Sequence, residues 1–265
     1  MLTIKVEKNQ LDGLVQHLSY FESISKPSNQ YELGSFTIDK MKVTVFKTGK
    51  IFFNKEPNEK IKKVLIDYFI STDEIENATI GSDEVGKGEK FGPLVVGACL
   101  LKNKKERALA RMDGFMDSKQ LSNQQIISIS NNSNFKNSIR SITPYYFNLH
   151  FKSNLNSLLY DLHSSAIREL ISNKIEIETI TIDKFGSSLY EKKFKQDFSN
   201  YKIIFVEKAE YDLSVACASV YARREYLNWI KKNEEKYKLN FSKMTKEEIK
   251  NNSKSNEIFK LHYIK

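Results

Sequence analysis

Residues 79 to 98 read TIGSDEVGKGEKFGPLVVGA, and the fold hangs on what this stretch does. An apolar run, ATIGSD from residue 78, reads as a strand and ends in two adjacent carboxylates, Asp83 and Glu84. A turn holding Gly86, Lys87 and Gly88 follows, and FGPLVVGACLL (91 to 101) reads as a second strand. Glycines open backbone torsions closed to other residues, which suits a tight hairpin and equally a backbone that a ligand must approach closely. Lys87 at the tip favours a phosphate neighbour.

Working outward, KNKKERALAR is a basic helix, DSKQLSNQQIISIS holds a helix that Ser122 caps, and FKNSIRSITP (135 to 144) is a third strand. SNLNSLLYDLHSSAIRELISN (153 to 173) sets Leu155, Leu158, Leu159, Leu162, Ile167 and Leu170 at helical spacing, so one face turns inward. ETITID (178 to 183) and YKIIFVE (201 to 207) are the fourth and fifth strands. YDLSVACASVYARREYLNWIKK (211 to 232) is a long helix, and charged helix continues from Asn233. This order predicts an α/β domain over 78 to 265, a mixed sheet flanked by helices. Upstream, LTIKV (2 to 6), a helix over 10 to 21, strands around a turn at Thr48 and Gly49, and a helix over 59 to 70 predict a small α+β domain over 1 to 72. Residues 71 to 77 are polar and form the linker.

Several acids fall at element ends: Asp83 and Glu84 after the first strand of the larger domain, Asp183 after the fourth, and Glu210 between the fifth strand and the long helix. Gathered at one sheet edge without cations, they would repel and raise one another's pKa values. Mg²⁺ takes hard oxygen ligands, and a pair of such ions suits phosphoryl displacement. Each acid also has a plain reading, in a polar turn, as a cap, or as a charge at a helix N-terminus. Spacing leaves both readings open.

The chain has 265 residues, with 42 Lys and Arg against 33 Asp and Glu, a formal net charge of +9 that favours a polyanionic partner. Two separated cysteines, Cys99 and Cys217, exclude a disulfide framework or a cysteine zinc site and fit buried thiols in a reducing cytoplasm. The longest apolar run, LVVGACLL, is far too short to span a bilayer, so a soluble, cytoplasmic monomer is expected, without membrane association. The four histidines do not cluster, and His163 reads as a packed side chain.

GSDEVGKGEKFGPLVVGA, with MDSKQLS (116 to 122), TIDKF (181 to 185), KAEYDLSVACASVYAR (208 to 223) and the terminal FKLHY, resembles the ribonuclease HIII family, a branch related to ribonuclease HII. The resemblance runs from about Ile80 to the end, with the motifs in the family's order. It implies a ribonuclease H-like fold and an enzyme that hydrolyses the RNA strand of RNA–DNA hybrids with Mg²⁺ or Mn²⁺, two divalent ions per site. Carried over by motif, the metal-site and catalytic acids are Asp83, Glu84, Asp183 and Glu210, with Asp212 as the alternative to Glu210. The backbone of Gly86, Lys87 and Gly88 would contact the hybrid, and Lys119 would hold the site or a substrate phosphate. The N-terminal domain, through VTVFKTGKIFF, resembles the family's substrate-binding domain, itself similar to the TATA-binding protein, and its Lys47 and Lys50 would add grip. The alternatives are ribonuclease HII-like incision at single ribonucleotides in duplex DNA and a non-catalytic nucleic-acid-binding protein.

Overall fold

The computed structural model of the chain describes residues 3–20, 24–25, 27–150, 155–172 and 174–264. The expected strand start at Leu2, the helix end at Phe21 and the outermost residues of the 153 to 173 helix lie outside them. Two compact units form, residues 1–77 with 102–116, and residues 78–101 with 117–265.

The first unit holds β1 (Thr3–Lys5), α1 (Leu11–Ser19), β2 (Ile24–Ser25), β3 (Glu32–Ile38), β4 (Met41–Phe46), β5 (Lys50–Phe53) and α2 (Glu59–Thr72). Its sheet is antiparallel in the order β1-β5-β4-β3-β2. Ile4, Phe36, Val43, Val45, Ile51 and Phe53 alternate along the strands and share a core with Leu14 and Leu18 of α1 and Leu65 and Phe69 of α2. The expected turn between β4 and β5 is present, with Gly49 at φ +85 and its amide donating to the Phe46 carbonyl.

The second unit begins with β6 (Ala78–Val85) and β7 (Leu94–Leu101). The helix that follows, α3 (Lys104–Met112), belongs to the first unit, so the expectation of one continuous domain over 78 to 265 differs from the observed partition here. Ala108 and Met112 enter the first unit's core. The buried Arg107 guanidinium, from Nε, donates to Asp73 Oδ2 at 2.6 Å, and its other nitrogens reach the Ile75 and Asn77 carbonyls. An arginine so saturated fixes α3 to the residues read as a linker.

The remaining elements are α4 (Asn123–Asn132), β8 (Lys136–Ile142), α5 (Pro144–His150), α6 (Leu155–Leu170), β9 (Ile177–Asp183), α7 (Ser188–Asp197), β10 (Lys202–Val206), α8 (Leu213–Tyr237), α9 (Lys246–Asn251) and α10 (Ser255–Ile258). The sheet is mixed, in the order β10-β9-β6-β7-β8, with β6, β9 and β10 parallel and β7 and β8 antiparallel to their neighbours. Ser122 caps α4 in a capping box with Gln125. The third strand stops at Ile142, because Pro144 suits the first turn of a helix and not a strand interior. The charged helix expected from Asn233 is broken after Tyr237, where Lys238 is left-handed at φ 54, and α9 and α10 are short separate turns.

Helix α6 covers one face of the sheet with Leu159, Ala166 and Ile167. Helix α8 lies on the other through small residues, Ala216, Cys217, Ala218 and Ala222, all buried. Its approach is limited by two glycines. A Cβ on Gly81 of β6 would sit 2.0 Å from the Val215 amide nitrogen, and one on Gly97 of β7 would sit 2.5 Å from the Ala218 carbonyl oxygen. Gly81→Ala is expected to cost about 3 kcal/mol in chemical denaturation, since backbone on both sides must give way, whereas Gly88→Ala, with nothing within 4 Å, should stay within ~0.5 kcal/mol.

Candidate active site

Strands β6 and β9 are parallel neighbours with Ser82 opposite Ile182, so their next residues, Asp83 and Asp183, stand level at adjacent strand ends. Side chains alternate along a strand, so Asp83 and Glu84 leave opposite faces of β6. Asp83 lies on the α8 side, continuing from Gly81, and Glu84 on the α6 side, continuing from Ser82. At the strand end all three acids still converge, each offering an oxygen within 4.8 Å of the others.

Each carboxylate is held by a different device. Asp83 is 5 % exposed, and its Oδ1 accepts the Glu84 amide at 2.7 Å. Glu84 faces His163 of α6, whose Nε2 stands 3.3 Å from Glu84 Oε2 and whose Nδ1 stands 2.7 Å from Ser82 Oγ. Ser82 Oγ donates in turn to the Gly97 carbonyl, and the His163 ring stacks on Phe185 at 4.7 Å. Lys87 Nζ approaches Glu84 Oε1 at 3.3 Å. Asp183 Oδ1 accepts the Ala209 amide at 2.9 Å, which ties β9 to the single 3-10 turn Ala209–Tyr211 that carries Glu210.

Glu210 stands outside the three-acid group but pairs with Lys119 Nζ at 3.5 Å, and its charge reaches Asp183. Asp212 is engaged elsewhere. As the N-cap of α8, its Oδ1 accepts the Ser214 amide at 2.9 Å and hydroxyl at 2.6 Å, while Oδ2 accepts the Thr181 hydroxyl at 2.6 Å.

The electrostatics are those of like charges forced together. Burial first, then the charges of Glu84 and Asp183, push Asp83 up to about 8, against the Ser219 hydroxyl and Glu84 amide. Burial also raises Asp183, with Glu210 and Glu84 adding to it and the Ala209 amide opposing. Burial pushes Glu84 up as well, but His163 and Lys87 outweigh it and hold its carboxyl below the ordinary range. Burial works against the Lys119 charge, but the carboxylates of Glu210, Asp83 and Asp117 hold its pKa above the usual value.

A divalent cation fits this set. The donors are hard oxygens at mutual separations one ion can bridge, and a cation would relieve the repulsion that pushes Asp83 up. The three acids line one cleft with Gly86, Lys87, Gly88, Lys119 and Arg223. The expected phosphate-side residues therefore share the acids' cleft, while Lys47 and Lys50 are exposed at the β4–β5 turn of the first unit. Sequence reading missed three contributors. His163 is legible as a lone histidine on an apolar helix face, whereas Ser219 and Arg223 are seen only once α8 is seated.

Acids on adjacent strand ends of a mixed five-stranded sheet, open to a basic cleft, define a metal-dependent hydrolase of the ribonuclease H-like fold. The solved structure of Bst-RNase HIII in complex with Mn²⁺ shares that fold at a TM-score of 0.63 and 22 % identity, over 98 % of this chain and 94 % of that one. Aquifex aeolicus RNase H3 does so at 0.57 and 21 %, over 99 % and 100 %. The pattern of the family described as Ribonuclease HII matches residues 80–262, and the chain belongs to that family, whose members are ribonucleases H. It is similar to Ribonuclease HIII of Aquifex aeolicus (strain VF5), 25 % identical over 96 % of this chain and 95 % of that protein. Ribonuclease HIII of Streptococcus pneumoniae serotype 4 (strain ATCC BAA-334 / TIGR4) is 28 % identical over 85 % and 79 %. Among the described residues no helix is long and apolar enough to cross a membrane.

The raised Asp83 carboxyl sets a pH dependence. Its folded value, about 8, exceeds its ordinary 3.8, so without metal its contribution to stability declines from about pH 4 and is gone by about pH 8. Below pH 8 a metal must also displace its proton. The rise in Tm on adding Mn²⁺, relative to EDTA, is expected to grow from pH 6 to pH 8 and to lose that growth in Asp83→Asn. A pH-independent increment in the wild type would contradict this.

Proposed function

We propose that this chain is a ribonuclease HIII-type endonuclease that hydrolyses the RNA strand of RNA–DNA hybrids, leaving 3′-hydroxyl and 5′-phosphate ends. The observation that carries the reading is the convergence of Asp83, Glu84 and Asp183 in one cleft with the glycine turn. Asp83, Glu84, Asp183 and Glu210 would hold two Mg²⁺ or Mn²⁺ ions. When bound, such ions activate water and stabilise the leaving oxygen of an in-line displacement. The chain supplies position: His163 orients Glu84, the Ala209 amide orients Asp183, and Lys119 steers Glu210. Glu210 is favoured over Asp212 as the fourth acid because both Asp212 oxygens serve the α8 cap and Thr181. Lys87 and Lys119 draw the scissile strand toward the acids by its phosphates.

The net charge of +9 supports a nucleic-acid partner, and the first unit, with Lys47 and Lys50 exposed beside the half-buried Phe46 and Phe52, serves as the accessory grip. The Ribonuclease HIII of Aquifex aeolicus aligns over 96 % of this chain, first unit included, which favours long RNA stretches over single ribonucleotides as substrate. Cys99 and Cys217 are buried and form no disulfide, which suits a reducing cytoplasm, where the chain acts as a monomer.

Two end-labelled duplexes test this, an RNA strand on DNA and a DNA duplex carrying one ribonucleotide, each with Mg²⁺, Mn²⁺ or EDTA. Metal-dependent cutting of the hybrid with the second duplex resisting is expected. Efficient cutting of both shows ribonuclease HII-like specificity, and binding without cutting overturns the assignment. In the same assay Glu210→Gln should lower turnover more than ~100-fold, beyond the 10- to 100-fold typical of groups that only orient a ligand. Asp212→Asn should instead lose about 1 kcal/mol of stability with a smaller effect on turnover. The double change Lys47→Ala with Lys50→Ala should weaken hybrid binding and reduce the salt slope by about 2, leaving saturated turnover intact; an unchanged slope would remove the first unit from the interface.

A further inference from the structure

Behind the glycine turn runs the C-terminal segment. The Gly92 amide donates to the Ile258 carbonyl at 3.0 Å, and the Lys260 amide to the Lys90 carbonyl at 2.8 Å. Lys260 is wholly buried, and its ammonium donates to three backbone carbonyls, Gly86 at 2.7 Å, Glu89 at 3.2 Å and Pro93 at 3.3 Å. The Tyr263 hydroxyl donates to the Lys87 carbonyl at 2.8 Å. Asn148 of α5 fixes the segment from its far side, with Nδ2 on the Phe259 carbonyl and Oδ1 on the Leu261 amide.

In a planar trans peptide the C=O and the following N–H point in opposite directions. The carbonyls of Gly86 and Lys87 face the C-terminal segment, so the amides of Lys87 and Gly88 face the other way, toward the cleft that these residues line. Nothing would lie within 4 Å of a Cβ on Gly88, so the approach is open. Two successive amides aimed at one space form a seat for an oxygen acceptor.

A buried ammonium is an expensive way to fill space. Burial pulls Lys260 down to about 7, opposed by the Glu89 charge, and an apolar side chain of similar volume would carry no such cost. What the apolar side chain lacks is the three donors that orient three carbonyls at once.

We propose that Lys260 and Tyr263 are positioning residues for substrate recognition. They hold the Gly86 and Lys87 carbonyls back so that the amides of Lys87 and Gly88 present two donors to an oxygen of the nucleic-acid strand, a phosphate oxygen or a ribose hydroxyl. This rests on the reading of the cleft as the hybrid site. Both side chains act on the turn through its backbone carbonyls, so the clamp acts on binding and leaves the chemistry alone.

The test uses the full chain with Lys260→Met and Tyr263→Phe. Melting curves establish folding, steady-state kinetics on the hybrid separate KM from kcat, and binding in EDTA compares the hybrid with a DNA duplex of the same sequence. KM should rise about tenfold, as for one lost substrate hydrogen bond, with kcat within about twofold and the Mn²⁺-induced rise in Tm unchanged. Binding lost on the hybrid alone assigns the seat to a ribose hydroxyl, and equal loss on the DNA duplex assigns it to a phosphate; both bear out the clamp. Should Lys260→Met fail to fold, Tyr263→Phe, which removes only a hydroxyl, decides alone. A folded Tyr263→Phe with unmoved KM, or with a fallen kcat and unmoved KM, overturns the clamp. A wild type that cuts no hybrid overturns the reading of the cleft and the clamp with it, whereas a cutting wild type with unmoved variants overturns the clamp alone.

Discussion

The distance between α8 and the sheet is the constraint on which the site depends. Gly81 and Gly97 allow helix backbone to meet strand backbone, and the small residues from Val215 to Ala222 keep the contact close along two turns. That seating puts Ser219 beneath Asp83 and brings Arg223 to the cleft wall. It also fixes the first turn of α8, where Asp212 ties the helix to Thr181 of β9, and through the preceding 3-10 turn it sets Glu210 near Asp183. A helix held one side chain farther away would leave Asp83 in water, with an ordinary carboxyl and no reason to gather a cation.

The seated helix creates an electrostatic debt that the fold leaves unsettled. Asp83 and Asp183 are both pushed toward their protonated forms, whereas His163 and Lys87 beside Glu84 outweigh its burial and hold its carboxyl below the ordinary range. A protein built for stability alone would not put three carboxyls together in a partly dry cleft. Strain of this sort concentrates at functional sites, where a bound cation turns repulsion into affinity. The rest of the unit supplies the rigidity, with Phe185, Phe194 and Phe205 in mutual contact behind β9 and β10.

Much of this was legible in the sequence, because it is written in local terms. The strand ending in Asp183, the turn at Gly86 to Gly88 and the Ser122 cap follow from patterns a few residues long, whereas β6 runs two residues past the expected end at Asp83, to Val85, because Glu84 and Val85 still pair with β7. What escaped depends on distant partners. The helix α3 looks like a basic surface helix, and its membership of the first unit rests on Arg107 reaching carbonyls some thirty positions back. Lys260 looks like any surface lysine, since nothing nearby in the chain announces that three carbonyls from residues 86 to 93 converge on it. Asp212 was read as helix interior because the apolar pattern began at Tyr211, although an aspartate there suits an N-cap.

The alternation along β6 has a consequence for how such a site can change over evolutionary time. Asp83 answers to the helix on one face of the sheet and Glu84 to the helix on the other, although the two are adjacent in the chain. A substitution in α6 that shifts His163 moves one carboxylate and leaves its neighbour where it was, and a substitution in α8 does the reverse. The two layers thus act from opposite sides on adjacent members of one charge cluster, and because the Glu84 charge bears on Asp83, a change in either layer is felt across the cluster.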